Sequence, residues 1–179
     1  MRHLAFLAVI VSVVLGIGCN LPAGPSGAGS SSGSGNTGGS NSTQGTMSAT
    51  IANLPWTANG RVTATYSRSQ NGVGASILNL AGQDFPLTNT LQFAVGSVSL
   101  GTDLSPGTFR VGTTGTNANL MDSIGNTFQA AGPVGSGTVI ITSFSTAART
   151  ATGTFNFVLV QSGAIAMKAV TTGTFSVTF

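Results

Sequence analysis

The sequence predicts an all-β fold, an antiparallel two-sheet β-sandwich of about eight strands, and three observations predict it. Apolar and polar side chains alternate with period two: "RTATGTFNFVLV" sets Ala151, Gly153, Phe155, Phe157 and Leu159 against Thr150, Thr152, Thr154 and Asn156. Charged helix formers are scarce, since glutamate is absent and Lys168 is the sole lysine, while the β-branched Thr, Val and Ile abound. The alternating runs recur about every ten residues between Gly-, Pro- and Asn-containing breaks, the spacing of short strands joined by turns.

Taken in order, the folded part is expected over residues 47–179. "RVTATYS" puts Val62, Ala64 and Tyr66 on one face and Thr63, Thr65 and Ser67 on the other, the pattern of a strand buried on one side. "LQFAVGSVSL" keeps Leu91, Phe93 and Val95 in phase, then shifts to Val98 and Leu100 across Gly96-Ser97, as a bulge or a turn would cause. "GTFSVTF" repeats the alternation with Phe175, Val177 and Phe179. Gly-Thr-Phe stands before Arg110, Asn156 and Ser176 and is read as a strand-opening preference. The unequal spacing of its copies does not describe a solenoid repeat.

Ahead of this domain the chain changes character. "MRHLAFLAVIVSVVLGIGC" opens on Arg2 and His3, continues with an apolar core from Leu4 to Leu15 and closes on small residues. That order is a signal peptide, assigned to residues 1–18, and its core is shorter than the ~20 residues that span a bilayer. Cys19 is the only cysteine. A cut by an ordinary signal peptidase would leave it as a free thiol, which oxidises or cross-links outside the cell. "LGIGC" also resembles the bacterial lipobox, in which the enzyme cuts before a cysteine that then carries lipid. Gly16 holds the place where that motif usually has Leu, and Leu15 comes one residue earlier. The resemblance implies an acylated Cys19 that binds the lipid bilayer. At ~0.8 kcal/mol per buried methylene, two or three acyl chains make such an anchor nearly permanent. Asn20 is not the aspartate that favours inner-membrane retention, so the outer membrane is expected where the cell has two. Residues 19–46 complete the anchor with a Gly/Ser-rich tether, expected to be disordered, whose root-mean-square span is roughly 25–30 Å.

"ATIANLPWTANG", followed by "GTVIITSF", "RTATGTFNF" and "VTTGTFSVTF", resembles a family of bacterial lipoprotein domains of unknown function. Those domains open on a strand like Ala-Thr-Ile-Asn-Gly-x-x-Trp and close on Gly-Thr-Phe strands. The resemblance covers residues 48–179 and departs at Asn53-Leu54, where the family more often has Asn-Gly. It implies a β-sandwich and supplies no catalytic residue.

The inventory of reactive side chains is short. His3 leaves with the signal peptide, Cys19 is consumed by lipid and glutamate is missing, so neither a Ser-His-Asp arrangement nor a typical zinc site can be built. Arg61, Arg68, Arg110 and Arg149 are scattered, which speaks against nucleic-acid binding. Asp84, Asp103, Asp122 and Lys168 remain. Asp84 in "AGQDFP" and Asp103 in "GTDLSP" read as solvated turn residues, and no loop has the Asp-rich spacing of a calcium site. Lys168 is expected to project into solvent from a strand whose other face carries Ile165 and Met167. Trp56, after Pro55, is expected to cap the core, with a stacking platform for a sugar as the other reading. No catalytic residue, metal or cofactor is assigned, and the binding residues stay open.

The expectation is therefore a membrane-anchored lipoprotein that displays a non-catalytic β-sandwich on a stalk, for binding, adhesion or envelope structure. One alternative is a carbohydrate-active enzyme using Asp carboxylates, which requires two of them to converge in a cleft. The other is a small integral outer-membrane β-barrel, suggested by the alternating Phe175, Val177 and Phe179 at the end of the chain. Against it stand a single Trp and a single Tyr, too few for two aromatic girdles, and strands of about six or seven residues where ~9–11 are needed.

Overall fold

Period-two alternation becomes strand throughout. The computed structural model describes residues 45–59, 61–68, 74–86, 89–97, 101–113 and 115–179; the segment read as a signal peptide, Cys19, most of the segment read as a tether, Val98 and Leu100 lie outside them. Among the described residues there are eleven strands and no helix. They are β1 (Gly45–Ile51), β2 (Leu54–Thr57), β3 (Arg61–Ser67), β4 (Ile77–Gln83), β5 (Thr90–Gly96), β6 (Gly107–Arg110), β7 (Asn117–Met121), β8 (Thr127–Ala130), β9 (Ser136–Ser145), β10 (Thr150–Gln161) and β11 (Met167–Thr178).

All pairs are antiparallel and join one sheet in the order β2-β1-β11-β10-β8-β7-β5-β4-β3, with β9 on β10 and β6 on β9. The expected eight strands in two separate sheets thus become eleven in one curled sheet. The undercount comes from β2, β6 and β8, four residues each and too short to show a period. The join comes from β10, which pairs with β9 through Val158 and then with β8 through Val160 and Gln161. At this fork the sheet parts into two walls, β6-β9-β10-β11-β1-β2 and β8-β7-β5-β4-β3. Strands β9, β10 and β11 have 10, 12 and 12 residues, longer than the alternation suggested. The phase slip at Gly96-Ser97 is simply the end of β5.

The walls face each other over an aromatic core. Phe93 of β5 meets Phe155, Phe157 and Phe175 at ring-centroid distances of 4.9, 5.5 and 5.8 Å. Every residue expected inside β10, from Ala151 to Leu159, is buried. Register explains the Gly-Thr-Phe motif, which opens a strand only at Gly107. In β10 and β11 the Gly and the Phe both point inward, and the pairing sets Gly153 opposite Phe175 and Phe155 opposite Gly173. Gly137 is likewise opposite Phe157. Each ring lies over the glycine of its neighbour strand, the arrangement that covers a glycine's bare backbone with an aromatic face. A Cβ on Gly137 would stand 2.5 Å from the Phe157 ring, so the site admits no side chain. Elsewhere Gly82 leaves room for Trp56 and Met47, which a Cβ there would meet at 3.0 and 3.1 Å.

The outer face of β1, β9, β10 and β11 carries hydroxyls in place of charges. Ser48 pairs with Thr174 at 3.0 Å, Thr50 with Thr172 at 3.1 Å and Thr142 with Thr152 at 3.1 Å. Such cross-strand hydroxyl pairs supply solvation and sheet stabilisation in a chain with only 5% charged residues.

Candidate functional site

Antiparallel pairing brings four connections to one end of the sheet. Ile51 pairs with Leu54 and Val170, Gln83 with Thr90, Thr90 with Met121, Met121 with Thr127, and Gln161 with Phe128. The β1–β2 turn, the described part of the β4–β5 loop, the β7–β8 turn and the β10–β11 turn are therefore neighbours. Gly45, where β1 begins, pairs with Val177 at the opposite end.

Two of these loops are closed in the same way. The Asp84 carboxylate accepts the Asn89 backbone N–H at 2.6 Å and its side-chain amide at 2.9 Å. The Asp122 carboxylate accepts the Asn126 backbone N–H at 2.9 Å, its side-chain amide at 3.2 Å and the Ile124 N–H at 3.2 Å. These Asp–Asn clasps hold the loops by the turn chemistry that makes Asp and Asn common there. Asn89 Oδ1 also accepts the Ser123 N–H at 3.2 Å and ties one clasp to the other. Each clasp lifts an apolar side chain into solvent, Phe85 at 68% and Ile124 at 82% exposure. Asn59 fixes Phe85 by accepting its N–H at 2.7 Å and donating to its carbonyl at 3.2 Å.

The expectation of a solvated turn aspartate fails for Asp84, which is buried beside its turn, while Asp103 is half-buried; Asp122, for which no turn was expected, is buried as well. That of a solvent-facing Lys168 fails too. Met167 points outward, and Lys168 turns in to donate to Asp122 Oδ2 at 2.9 Å, its Nζ 4.3 Å from the Phe128 ring centroid. A buried carboxylate needs a partner, and this pairing overrides the surface position that a lone lysine normally takes. The hydrogen bond from Lys168, helped by those from Asn126, outweighs burial and lowers the Asp122 carboxyl from 3.8 to about 2.

The sign of its linkage to stability follows. Folded Asp122 binds its proton more weakly than unfolded Asp122, so its contribution is complete above pH ~4 and is lost as pH falls through about 2. Thermal melts between pH 5 and pH 2 should show a fall in Tm that is smaller in Asp122→Asn than in the wild type. Equal falls would mean that Asp122 does not carry the effect.

Between the clasps and the β1–β2 turn lies a hollow of about 150 Å³ lined by Leu54, Pro55, Trp56, Asp84, Leu120 and Lys168, among others. Ala52 and Asn53 take φ of 49° and 67° in that turn, the primed geometry of a two-residue hairpin, with alanine where glycine or asparagine is usual. Trp56 is 5% exposed, as expected of a core cap, which excludes a stacking platform. Its indole N–H has no partner among the described residues.

Four of the side chains singled out in the sequence thus meet here: Trp56, Asp84, Asp122 and Lys168. Asp103 does not join them. It lies toward the other end, where Tyr66 donates to it at 2.9 Å and Arg68 pairs with it at 2.8 Å. Burial, foremost, raises the Tyr66 hydroxyl above 10.0. Sequence reasoning missed Asn59, Asn89 and Asn126, although Asp followed four or five residues later by Asn in "DSIGN" and "DFPLTN" was there to read. Among the described residues no three His, Cys, Asp or Glu side chains gather as metal ligands. With Asp122 held ionised by Lys168, the site offers hydrogen bonds and fixed charge more readily than a proton near neutral pH.

No family model, no curated protein and no solved structure matches the chain.

Proposed function

We propose that the chain is a lipoprotein of a bacterial cell envelope. Acylated Cys19 anchors it, the outer membrane being its place where there are two, and a Gly/Ser-rich stalk carries a non-catalytic binding module. We read the two walls as the layers of a β-sandwich joined through β10. One observation carries the reading of a binding module. Of nine exposed large apolar side chains among the described residues, Leu54, Phe85, Met121, Ile124, Ile165 and Met167 all stand at the clasped loop end. Exposed apolar groups concentrated in this way mark an interaction surface. The stalk enters at Gly45, on the end facing away from it. The hydroxyl-bearing outer face supports a tethered domain over a membrane barrel, whose outward face is an apolar band.

Growth with labelled palmitate should tag the wild type and leave Cys19→Ser untagged; a tagged variant or an untagged wild type removes the anchor from the reading. A photo-crosslinking residue at position 124 should give a discrete adduct on intact cells, and one at position 142 none. No adduct from 124, or the same adducts from both, removes the binding face.

A further inference from the structure

We infer that the hollow at the loop end binds a single neutral sugar residue. The inference rests on the reading of that end as a binding face and names its ligand.

Size comes first. About 150 Å³ is roughly half the lower bound for a drug-sized pocket, so the hollow takes one ring and not a chain. Charge comes second. Of the two charged groups that line the hollow, Lys168 is already neutralised by Asp122 behind it and Asp84 is not, which disfavours phosphate, sulfate and carboxylate. The hydrogen-bond inventory narrows the class further. The Trp56 indole N–H is buried and unpartnered, and Lys168 has three donors, of which Asp122 takes one. The spare Lys168 donors require lone pairs on the ligand, which an alkylammonium lacks. The Asp84 carboxylate has capacity left beyond its two bonds from Asn89 and requires a donor. A hydroxyl is both donor and acceptor, and adjacent ring hydroxyls present several at once. Leu54, Pro55 and Leu120 give the apolar wall that the C–H face of a pyranose covers. Trp56 forms part of the wall, its ring face buried by the core, and reports on the hollow from there.

Trp56 is the only tryptophan, so its indole N–H gives one cross-peak in a nitrogen–proton correlation spectrum. The full chain in detergent micelles should be titrated with methyl glycosides of glucose, mannose, galactose and N-acetylglucosamine, and separately with butylamine and inorganic phosphate. At least one glycoside should shift that peak saturably, and butylamine and phosphate should not. Asp84→Asn should weaken the binding by about tenfold or more, the loss expected when a charged hydrogen-bond partner goes. Leu54→Tyr, at an exposed position, should block it with the amide spectrum otherwise intact, and Asp103→Asn should leave it unchanged. A saturable shift with butylamine or phosphate, or none with any glycoside, overturns the inference. If position 124 still gives its adduct while no glycoside binds, the sugar falls and the binding face stands; if neither result appears, both fall.

Discussion

Gly153→Ala is expected to remove ~3 kcal/mol or more of the domain's stability. A single added Cβ would overlap the Ile140 carbonyl oxygen and lie 2.7 Å from the Phe175 ring. Neither neighbour can give way, because the carbonyl belongs to the β9–β10 ladder and the buried ring is packed against Phe93 and Phe155. Overpacking a tight core costs 1–3 kcal/mol, and a backbone overlap at the central ladder places this case at or beyond ~3 kcal/mol. Against a total stability of ~5–15 kcal/mol that is a large share. Urea unfolding followed by circular dichroism should give a midpoint far below the wild type. The double variant Gly153→Ala with Phe175→Leu, which trades the ring for a smaller side chain, should regain part of the loss. An unchanged midpoint in the single variant would mean that the Gly–Phe pairing carries no packing constraint.

Lys168→Met should cost about 2 kcal/mol. Removing one partner of a buried ion pair costs ~3–5 kcal/mol, but Lys168 keeps 26% of its side chain exposed and Asp122 keeps three N–H donors from its own turn. Both facts reduce the figure. Asp122→Asn in the same background should restore most of it, since an amide left without Lys168 carries no stranded charge. A double-mutant cycle by urea denaturation measures the coupling. Additive losses would show that Lys168 stabilises through its packing on Phe128 and not through Asp122.

What could be read from the sequence was the part set by local pattern. Val62, Ala64, Leu91, Phe93, Val95, Phe175, Val177 and Phe179 all face inward as their alternation requires. Register is a relation between strands, and the alternation within one strand does not contain it. That Gly153 lies under Phe175 requires knowing that β10 and β11 are offset by that amount. The site suffers from the same gap more severely. Asp84, Asp122 and Lys168 are 38 and 46 positions apart along the chain, and each alone looks like an ordinary surface residue. Only the folding of β4–β5, β7–β8 and β11 onto one end turns two turn aspartates and a strand lysine into a buried cluster. Low overall charge made the cluster easy to overlook, although buried charges weigh more in a chain that has so few.

The position of Gly45 bears on how the domain would respond to force. If the stalk pulls there while a bound surface holds the loop end, tension runs lengthwise along β1. The β1–β11 hydrogen bonds lie across that line, so the six register pairs from Gly45↔Val177 to Ile51↔Val170 are loaded in shear and resist together. Slippage by one residue would turn Met47 and Ala49 out of the core, so the ladder has no easy intermediate position. Attachment at the loop end of β1 would instead open the same bonds one after another. A stalk joined at Gly45, as proposed, would thus pull from the end at which a tug is hardest to transmit into unfolding.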